Sequence, residues 1–173
     1  STHPRFTDTL SHAYIDSLSR FAPQHDIGKV GIPDHILLKP GKLSPDEWEI
    51  MKTHTKLGSE AIALAERDLR TSTSFLDQAK EIARWHHERW DGTGYPDGLA
   101  GDAIPLAARL MAMADVFDAL ISRRVYKEPL PFATVREMIA AERGKHFDPD
   151  IVDTYLSGHR DFEAIALFFG VDS

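Results

Sequence analysis

Apolar residues recur three or four positions apart along most of this chain, which is the spacing of amphipathic helices. No segment alternates between apolar and polar residues as a half-buried strand would. Pro105 suits the first position of a helix, and the longest regular stripe begins just after it. The pattern predicts an all-α, multi-helix bundle. The stripe consists of Leu106, Leu110, Met113, Phe117 and Leu120.

Capping signals indicate where other helices begin. Ser44, Pro45 and Glu47 combine a capping box with proline at the first helical position. The helix that follows carries His54, and Gly58 is expected to interrupt it. Further helices are predicted at 59–70, from Ser74 to His87, from Phe132 to Arg143, from Pro149 to Leu156, and from Phe162 to Phe169.

A long irregular loop separates two of these helices. It runs from Asp91 to about Pro105 and is too rich in glycine and proline for a regular element. We therefore expect an all-helical bundle with one long functional loop.

Composition limits the class of protein. The 173 residues, 42% of them hydrophobic, suit one globular domain covering 1–173. No apolar run is long enough for a membrane helix, no secretory signal is present, and the cytoplasm is the expected compartment. A net charge of -7 argues against a general DNA-binding surface. Because there is no cysteine, any metal must be held by imidazole and carboxylate, which suits Fe, Mn or Zn.

Histidines and aspartates from four separate segments form the main chemical signal. A single histidine or aspartate of this kind is usually structural, but the ordered series favours a metal site. Asp115 lies beside the apolar stripe, where an unpaired carboxylate would be unfavourable and a cation would compensate it. The candidate ligands are His25, Asp26, His54, His86, His87 and Asp115.

These residues suit a two-metal phosphodiesterase. Adjacent helical histidines point about 100° apart, so His86 and His87 would reach different ions. Two ions bridged by a carboxylate are a recurring arrangement for phosphodiester hydrolysis, with Asp26 as the bridge and a metal-bridged hydroxide as the nucleophile. Lys29 would protonate the leaving 3′ oxygen or hold the phosphate. A surface ammonium is an equally good interpretation of Lys29 from spacing alone.

Several segments in order closely resemble the HD-GYP family, which implies a multi-helix HD-domain-like bundle with the long Gly/Pro-rich loop near the metal site. The resemblance covers about 150 residues. It implies hydrolysis of cyclic di-GMP to pGpG, and in some members to GMP, with two or three divalent metals, often iron or manganese. The matching segments are His25-Asp26-Ile27-Gly28-Lys29, Lys39-Pro40-Gly41-Lys42-Leu43, His54, His86-His87-Glu88, Asp91-Gly92-Thr93-Gly94-Tyr95-Pro96, Ala114-Asp115-Val116-Phe117-Asp118-Ala119-Leu120 and Phe147-Asp148-Pro149.

The resemblance also implies substrate contacts at Tyr95, Arg124 and Lys127, besides Lys29. Arginine offers a planar fork for a phosphate, and tyrosine can stack on a guanine. Without the resemblance, the two cations would more simply be favourable charges near a helix C-terminus. Family members commonly serve as outputs of receiver or sensor domains, so an N-terminal domain of that kind is expected, and a cyclase-domain protein is a candidate partner.

The chain departs from the family pattern in three places. An upstream helix with a further metal-binding histidine is not found, so we expect the domain to lack its N-terminal helix or helices. His12 is a poor substitute because it precedes His25 by 13 residues, about 20 Å along a straight helix. The other departures are Gln24, where an apolar residue is usual, and Val125, where proline is common.

Two other functions stay open. The first is a noncatalytic cyclic di-GMP receptor or protein-interaction adaptor, which lost ligands would favour, yet every ligand position that can be checked is retained. The second is a phosphohydrolase of the wider His-Asp superfamily acting on another nucleotide, which the Gly94-Tyr95-Pro96 loop argues against.

Overall fold

The described part of this computed structural model comprises residues 4–68, 74–122 and 128–168. Within those ranges the chain is helical and contains no strand, which confirms the all-α prediction. Short 3-10 helices connect the larger elements at Pro4–Phe6, Ala22–Gln24, Ile27–Gly31 and Gly101–Ala103. The α-helices are α1 (His12–Phe21), α2 (Asp34–Leu37), α3 (Pro45–Lys52), α4 (His54–Asp68), α5 (Ser74–Trp85), α6 (Leu106–Ile121), α7 (Phe132–Ala141) and α8 (Pro149–Phe168).

Helix α3 begins as its capping signal predicts. The Ser44 hydroxyl accepts a hydrogen bond from the backbone N–H of Glu47, and the Glu47 carboxylate accepts one from the backbone N–H of Ser44. Helix α6 differs slightly from the prediction. Pro105 is its N-cap rather than its first helical residue, and the Pro105 carbonyl accepts the first helical hydrogen bond from Arg109.

Two predicted helix breaks are wrong. Helix α4 continues through Gly58, and α8 is one helix where two had been expected, with Gly158 inside it. A glycine inside a helix costs about 1 kcal/mol relative to alanine, and tertiary packing readily outweighs that amount. At Gly58 the packing partner is the 3-10 helix at Ile27–Gly31, since a Cβ there would lie 3.2 Å from the backbone nitrogen of Gly28.

The apolar side chains form two buried clusters. A small one joins α1, α5 and α6, where Ile82, Ala107 and Met111 pack beside Tyr14 and Leu18. The larger one joins α6, α7 and α8 and includes the predicted stripe. Its fully buried members include Met113, Phe117, Leu120, Ile121, Val135, Ile139, Phe147, Ile151, Val152 and Tyr155. None of the described helices is long and apolar enough to cross a membrane.

Candidate metal centre

The His25-Asp26 pair is held against α4 by a close backbone contact. Asp26 is the N-cap of the 3-10 helix at Ile27–Gly31, which packs on the start of α4. Gly28 makes this packing possible, because a Cβ there would lie only 1.9 Å from the carbonyl oxygen of His54. Any side chain at position 28 would separate the two segments. The contact places Asp26 beside His54.

His86 and His87 come from the turn that follows α5. Their predicted position inside the helix is wrong, since α5 ends at Trp85. The His86 N–H nevertheless donates to the Ile82 carbonyl at 3.2 Å. Their ring centroids are 4.0 Å apart, and one ligand atom from each lies within 4.8 Å of the Asp26 and His54 ligand atoms. Both histidines thus face the same cluster.

Three histidines are oriented in the same way by the backbone. Each ring contacts a carbonyl oxygen through Nδ1, at 2.7 Å for His25 with Ala22, 2.8 Å for His54 with Met51, and 2.8 Å for His86 with Ile82. In a neutral imidazole, a hydrogen bond donated by Nδ1 fixes the tautomer and leaves Nε2 with a free lone pair. This is the usual orientation of a metal-binding histidine.

The Nε2 atoms point towards Asp26. His54 Nε2 lies 3.4 Å and His86 Nε2 3.8 Å from Asp26 Oδ1. Both nitrogens and Asp26 Oδ1 are inaccessible to solvent, and none has a hydrogen-bond partner among the described residues. Buried polar atoms are normally satisfied, so three converging unsatisfied ones indicate that something else occupies the space between them.

The charge states of the histidines fit that interpretation. Burial, followed by the charge of His25, lowers the pKa of His86 to about 4. Burial likewise lowers the pKa of His87 to about 3 and that of His54 below its ordinary value. These three imidazoles are neutral near pH 7, which is the form that binds metals.

His25 lies between two carboxylates. Its Nε2 is 3.6 Å from Asp115 Oδ1 and 3.3 Å from Asp26 Oδ2. Interaction with Asp115, and then with Asp26, raises the pKa of His25 to about 10, against the opposing effect of burial. The same contact with His25 lowers the pKa of Asp115. Asp115 is half-buried rather than enclosed by the apolar stripe, and its side chain retains 30% of its exposure.

Asp26 has a second cationic neighbour. The Lys29 ammonium donates to Asp26 Oδ2 at 2.5 Å. Burial alone would raise the pKa of Asp26, but His25 and Lys29 outweigh it and hold the pKa well below its usual range. Asp26 is therefore ionised at neutral pH, and Lys29 is directed into the cluster rather than away from it.

The Gly-Tyr-Pro loop forms one wall of the cluster. The Tyr95 ring stacks on His87 with centroids 4.9 Å apart, and Tyr95 N–H donates to the His87 carbonyl at 3.2 Å. Gly94 permits this approach, because a Cβ there would lie 2.4 Å from the backbone nitrogen of Arg89. Burial raises the pKa of Tyr95, so its hydroxyl stays protonated.

Glu88 holds the same loop and was missed by the sequence interpretation. Its side chain is buried at 2% exposure, and its carboxylate accepts backbone N–H bonds from three consecutive loop residues. The donors are Asp97 at 2.7 Å, Gly98 at 3.1 Å and Leu99 at 3.1 Å. The sequence signal that could have identified Glu88 is its position directly after two histidines and shortly before a glycine-rich loop.

A divalent cation fits the assembled residues. Asp26, His54, His86 and His87 offer one carboxylate and three neutral imidazoles, a donor set that suits Fe, Mn and Zn. A cation between them would satisfy the three buried atoms that lack partners. His25 and Asp115 adjoin the four and are close enough to extend the donor set.

The remaining predicted residues have varied positions. Tyr95 and Lys29 adjoin the cluster, whereas Arg124, Lys127 and Val125 lie outside the described residues. Gln24 is exposed, and His12 is an exposed residue at the start of α1. Asp118 accepts a hydrogen bond from the Ser122 hydroxyl at 3.2 Å.

Comparison with known proteins gives a consistent result. The HD domain family matches residues 10–151. A probable cyclic di-GMP phosphodiesterase of Vibrio cholerae is 53% identical over 98% of this chain and 38% of its own length. The cyclic di-GMP phosphodiesterase response regulator RpfG of Xanthomonas campestris is 45% identical over 95% of this chain and 42% of its own length.

Some similar proteins are named for a different nucleotide, 3′3′-cGAMP. The 3′3′-cGAMP-specific phosphodiesterase 2 of Vibrio cholerae is 44% identical over 92% of this chain and 31% of its own length. The chain thus spans roughly two fifths or less of the length of these curated relatives.

Proposed function

The chain belongs to the HD-GYP family of HD-domain proteins, and on that premise we propose that it hydrolyses a phosphodiester bond of cyclic di-GMP. One observation carries the proposal beyond the names of its relatives. Asp26 Oδ1, His54 Nε2 and His86 Nε2 converge in a buried space, and no described residue satisfies them. That arrangement suits a divalent metal, and imidazole-carboxylate metal pairs recur in phosphodiester hydrolysis.

The proposed ligands are Asp26, His54, His86 and His87, with His25 and Asp115 completing the set. We propose two or three ions, with iron or manganese preferred because HD-GYP proteins often use them. When bound, the ions activate water and neutralise phosphate charge. Asp26 is the proposed bridging ligand. Its Oδ1 faces His54 and its Oδ2 faces His25, so its two oxygens could hold different ions.

The other residues act on the substrate. Lys29 faces the same carboxylate from the more exposed side, where its ammonium can hold a phosphate oxygen or give a proton to the leaving 3′ oxygen. Tyr95, stacked on His87, presents an aromatic face beside the reacting phosphate. Arg124 and Lys127 are proposed to bind phosphate on the basis of family resemblance alone.

The proposal extends to the regulation of the full-length protein. Since the relatives are more than twice as long as the matched segment, we propose that a receiver or sensor domain controls this one, as the name of the RpfG response regulator suggests for that relative. A cyclase-domain protein is a further proposed partner. The proposed compartment is the cytoplasm, where a bacterial nucleotide messenger would be met.

Turnover of defined nucleotides tests the function. The protein is loaded anaerobically with Fe(II) or Mn(II) and incubated with cyclic di-GMP and, in parallel, 3′3′-cGAMP, and products are separated by chromatography. We expect metal-dependent pGpG, with or without GMP, faster from cyclic di-GMP, and loss of product in Asp26→Ala. Tight nucleotide binding without turnover in the loaded protein would instead favour a receptor, and preference for 3′3′-cGAMP would reassign the substrate.

A further inference from the structure

A pocket with two lysines in its lining opens beside the candidate metal centre. It lies between the α3–α4 junction and the Gly-Tyr-Pro loop, and it is lined by Glu49, Lys52, Thr53, Lys56, Tyr95 and Pro96. We propose that Lys52 and Lys56 bind the second, non-reacting phosphate of a cyclic dinucleotide. The inference rests on the proposed function, because it assigns one phosphate to the metal centre and the other to this pocket.

The pocket is close to the metal centre through Tyr95. The Lys52 ammonium lies 5.8 Å from the Tyr95 ring centroid, and that centroid lies 4.9 Å from the ring of His87. The Lys52 ammonium therefore lies no farther from the centroid of the His87 ring than the sum of these two distances. One ligand can contact both places, since a cyclic dinucleotide carries its two phosphates on opposite sides of one ring.

The two lysines are placed to act together. Lys52 ends α3, Lys56 lies in the first turn of α4, and His54 sits between them in sequence. The segment that supplies a candidate metal ligand thus also supplies both cations. Because the chain carries a net charge of -7, local positive charge is needed wherever a dianionic substrate binds.

The charge of Lys52 is available to a ligand. Its ammonium pairs with Glu49 at 2.8 Å, but the Glu49 side chain is 70% exposed. Exposed pairs of this kind contribute little free energy, so a phosphate with two or more acceptor oxygens can replace the carboxylate. Lys56 is exposed at the rim of the same pocket.

The pocket also has an aromatic wall on which a base can rest. The Tyr95 ring meets Trp48 edge to face, with centroids 6.0 Å apart, and stacks on His87 with centroids 4.9 Å apart. In a cyclic dinucleotide the riboses join the two phosphates and carry the bases on the outside of the ring, so a base can contact Tyr95 while both phosphates are bound. The pocket therefore favours cyclic dinucleotides over phosphodiesters that contain a single phosphate.

Kinetics on two substrates test the assignment. Lys52→Ala and Lys56→Ala are compared with wild type on cyclic di-GMP and on bis(p-nitrophenyl) phosphate, which has one phosphate. We expect each variant to raise KM for cyclic di-GMP about fivefold to tenfold with little change in kcat. The ratio of kcat/KM for the dinucleotide to that for the simple ester should fall by a similar factor, and Lys52→Arg should restore most of it.

Lys80→Ala is the matched control. Lys80 has a similar exposure, 25% against 26%, and a similar ion pair one turn away, with Asp77 at 2.8 Å, but it lies on α5 and does not line the pocket. Lys80 also pairs with Glu66 of α4 at 2.8 Å, so the melting temperature of Lys80→Ala is measured beside its kinetics. The Lys80→Ala substitution lowers the net charge of the molecule by the same amount as Lys52→Ala. If Lys80→Ala raises KM as much as Lys52→Ala does, the effect is one of net charge and the pocket assignment is wrong.

Equilibrium binding gives a readout that does not depend on turnover. Calorimetry with a phosphorothioate analogue of cyclic di-GMP should show weaker binding and a shallower salt dependence for Lys52→Ala and Lys56→Ala than for Lys80→Ala. Wild-type turnover with unchanged KM and unchanged binding in both variants would overturn the pocket. Failure of the wild-type protein to hydrolyse any cyclic dinucleotide would overturn the proposed function instead.

Discussion

The α6–α8 core and the region around Asp26 are stabilised in different ways. In the core, Phe117 contacts the rings of Phe132, Tyr155 and Phe162 at centroid distances of 5.8 to 6.5 Å. Around Asp26, by contrast, backbone segments meet at glycine, and histidine rings surround a carboxylate. The core is complete with its own side chains, except that no described residue pairs with the Tyr155 hydroxyl.

The difference separates stability from chemistry. Core packing depends on apolar area and needs no ligand. The Asp26 region contains buried polar atoms that no described residue satisfies, and such atoms are unfavourable unless an external group binds them. We therefore expect changes in the core to alter folding with little effect on metal binding, and changes around Asp26 to alter both.

Gly28→Ala should have the largest effect. The added Cβ would meet backbone atoms of α4 at 1.9 and 2.5 Å, and backbone cannot move aside as a side chain can. We expect a loss of about 4 kcal/mol or more in the free energy of unfolding, with loss of metal binding in any protein that folds. Urea denaturation and metal content measure the two effects.

Gly158→Ala is the same substitution in open space. No atom lies within 4 Å of a Cβ at that position inside α8. Alanine should therefore stabilise the protein by about 0.5 to 1 kcal/mol through helix propensity. Equal destabilisation by the two substitutions would contradict the role given to the Gly28 contact.

Ile139→Ala should break the core without touching the metal region. Ile139 on α7 is 1% exposed and belongs to the large apolar cluster. We expect a loss of about 3 kcal/mol in the free energy of unfolding from the lost apolar contacts and the cavity. Metal affinity of the folded fraction, measured by calorimetry, should stay within about twofold of wild type, a change below 0.5 kcal/mol. A tenfold loss of affinity would show that the two regions are coupled.

Metal removal should act on the region around Asp26 rather than on the α6–α8 core. A ligand that binds only the folded state at a hundred times its dissociation constant stabilises by about 2.7 kcal/mol. We expect a chelator to lower the melting temperature of wild type and of Ile139→Ala by similar amounts. It should leave Asp26→Ala unchanged, and a melting temperature that does not respond to metal in wild type would contradict the account.

Glu88→Gln should destabilise the protein less than Gly28→Ala or Ile139→Ala does. Glutamine keeps one acceptor oxygen but replaces the other by a donor, which faces backbone N–H groups of the loop. We expect a loss of about 1 to 2 kcal/mol in loop stability. It should appear as faster proteolysis at residues 97–99 and a roughly tenfold lower kcat/KM, as 1.4 kcal/mol corresponds to a factor of ten.

Glu142→Gln is the control for that change. Glu142 is also a carboxylate that accepts a hydrogen bond, from Arg89 at 2.9 Å, but it is partly exposed and donors from the loop do not converge on it. Its effects on proteolysis and on kcat/KM should be within error of wild type. Similar defects in both variants would remove the case for Glu88 as a positioning residue.

Local rules predicted part of this fold. The capping box at Ser44 and the apolar stripe of α6 depend on neighbours in sequence, and both predictions are confirmed. The break expected within α8 is wrong, since that helix is continuous from Pro149 to Phe168. The break expected at Gly58 is wrong because tertiary contacts with the 3-10 helix at Ile27–Gly31 outweigh the low helix propensity of glycine. Those contacts join residues far apart in sequence.

The candidate site was predictable to a different extent. Residue types and their order identified the histidine and aspartate set, since few other chemistries use those residues together. The predicted end of the helix at His87 is wrong, because α5 stops at Trp85, two residues earlier than expected. Neither the Glu88 contacts nor the Lys52 pocket follows from spacing, because each depends on where the Gly-Tyr-Pro loop folds back.

Anomalous diffraction from crystals of the Mn(II)- or Fe(II)-loaded protein tests the central claim most directly. The account predicts a metal peak bonded to Asp26 Oδ1, His54 Nε2 and His86 Nε2, the buried atoms that have no partner among the described residues. A loaded, active protein whose metal lies elsewhere, with these three atoms bonded only to water, would contradict it.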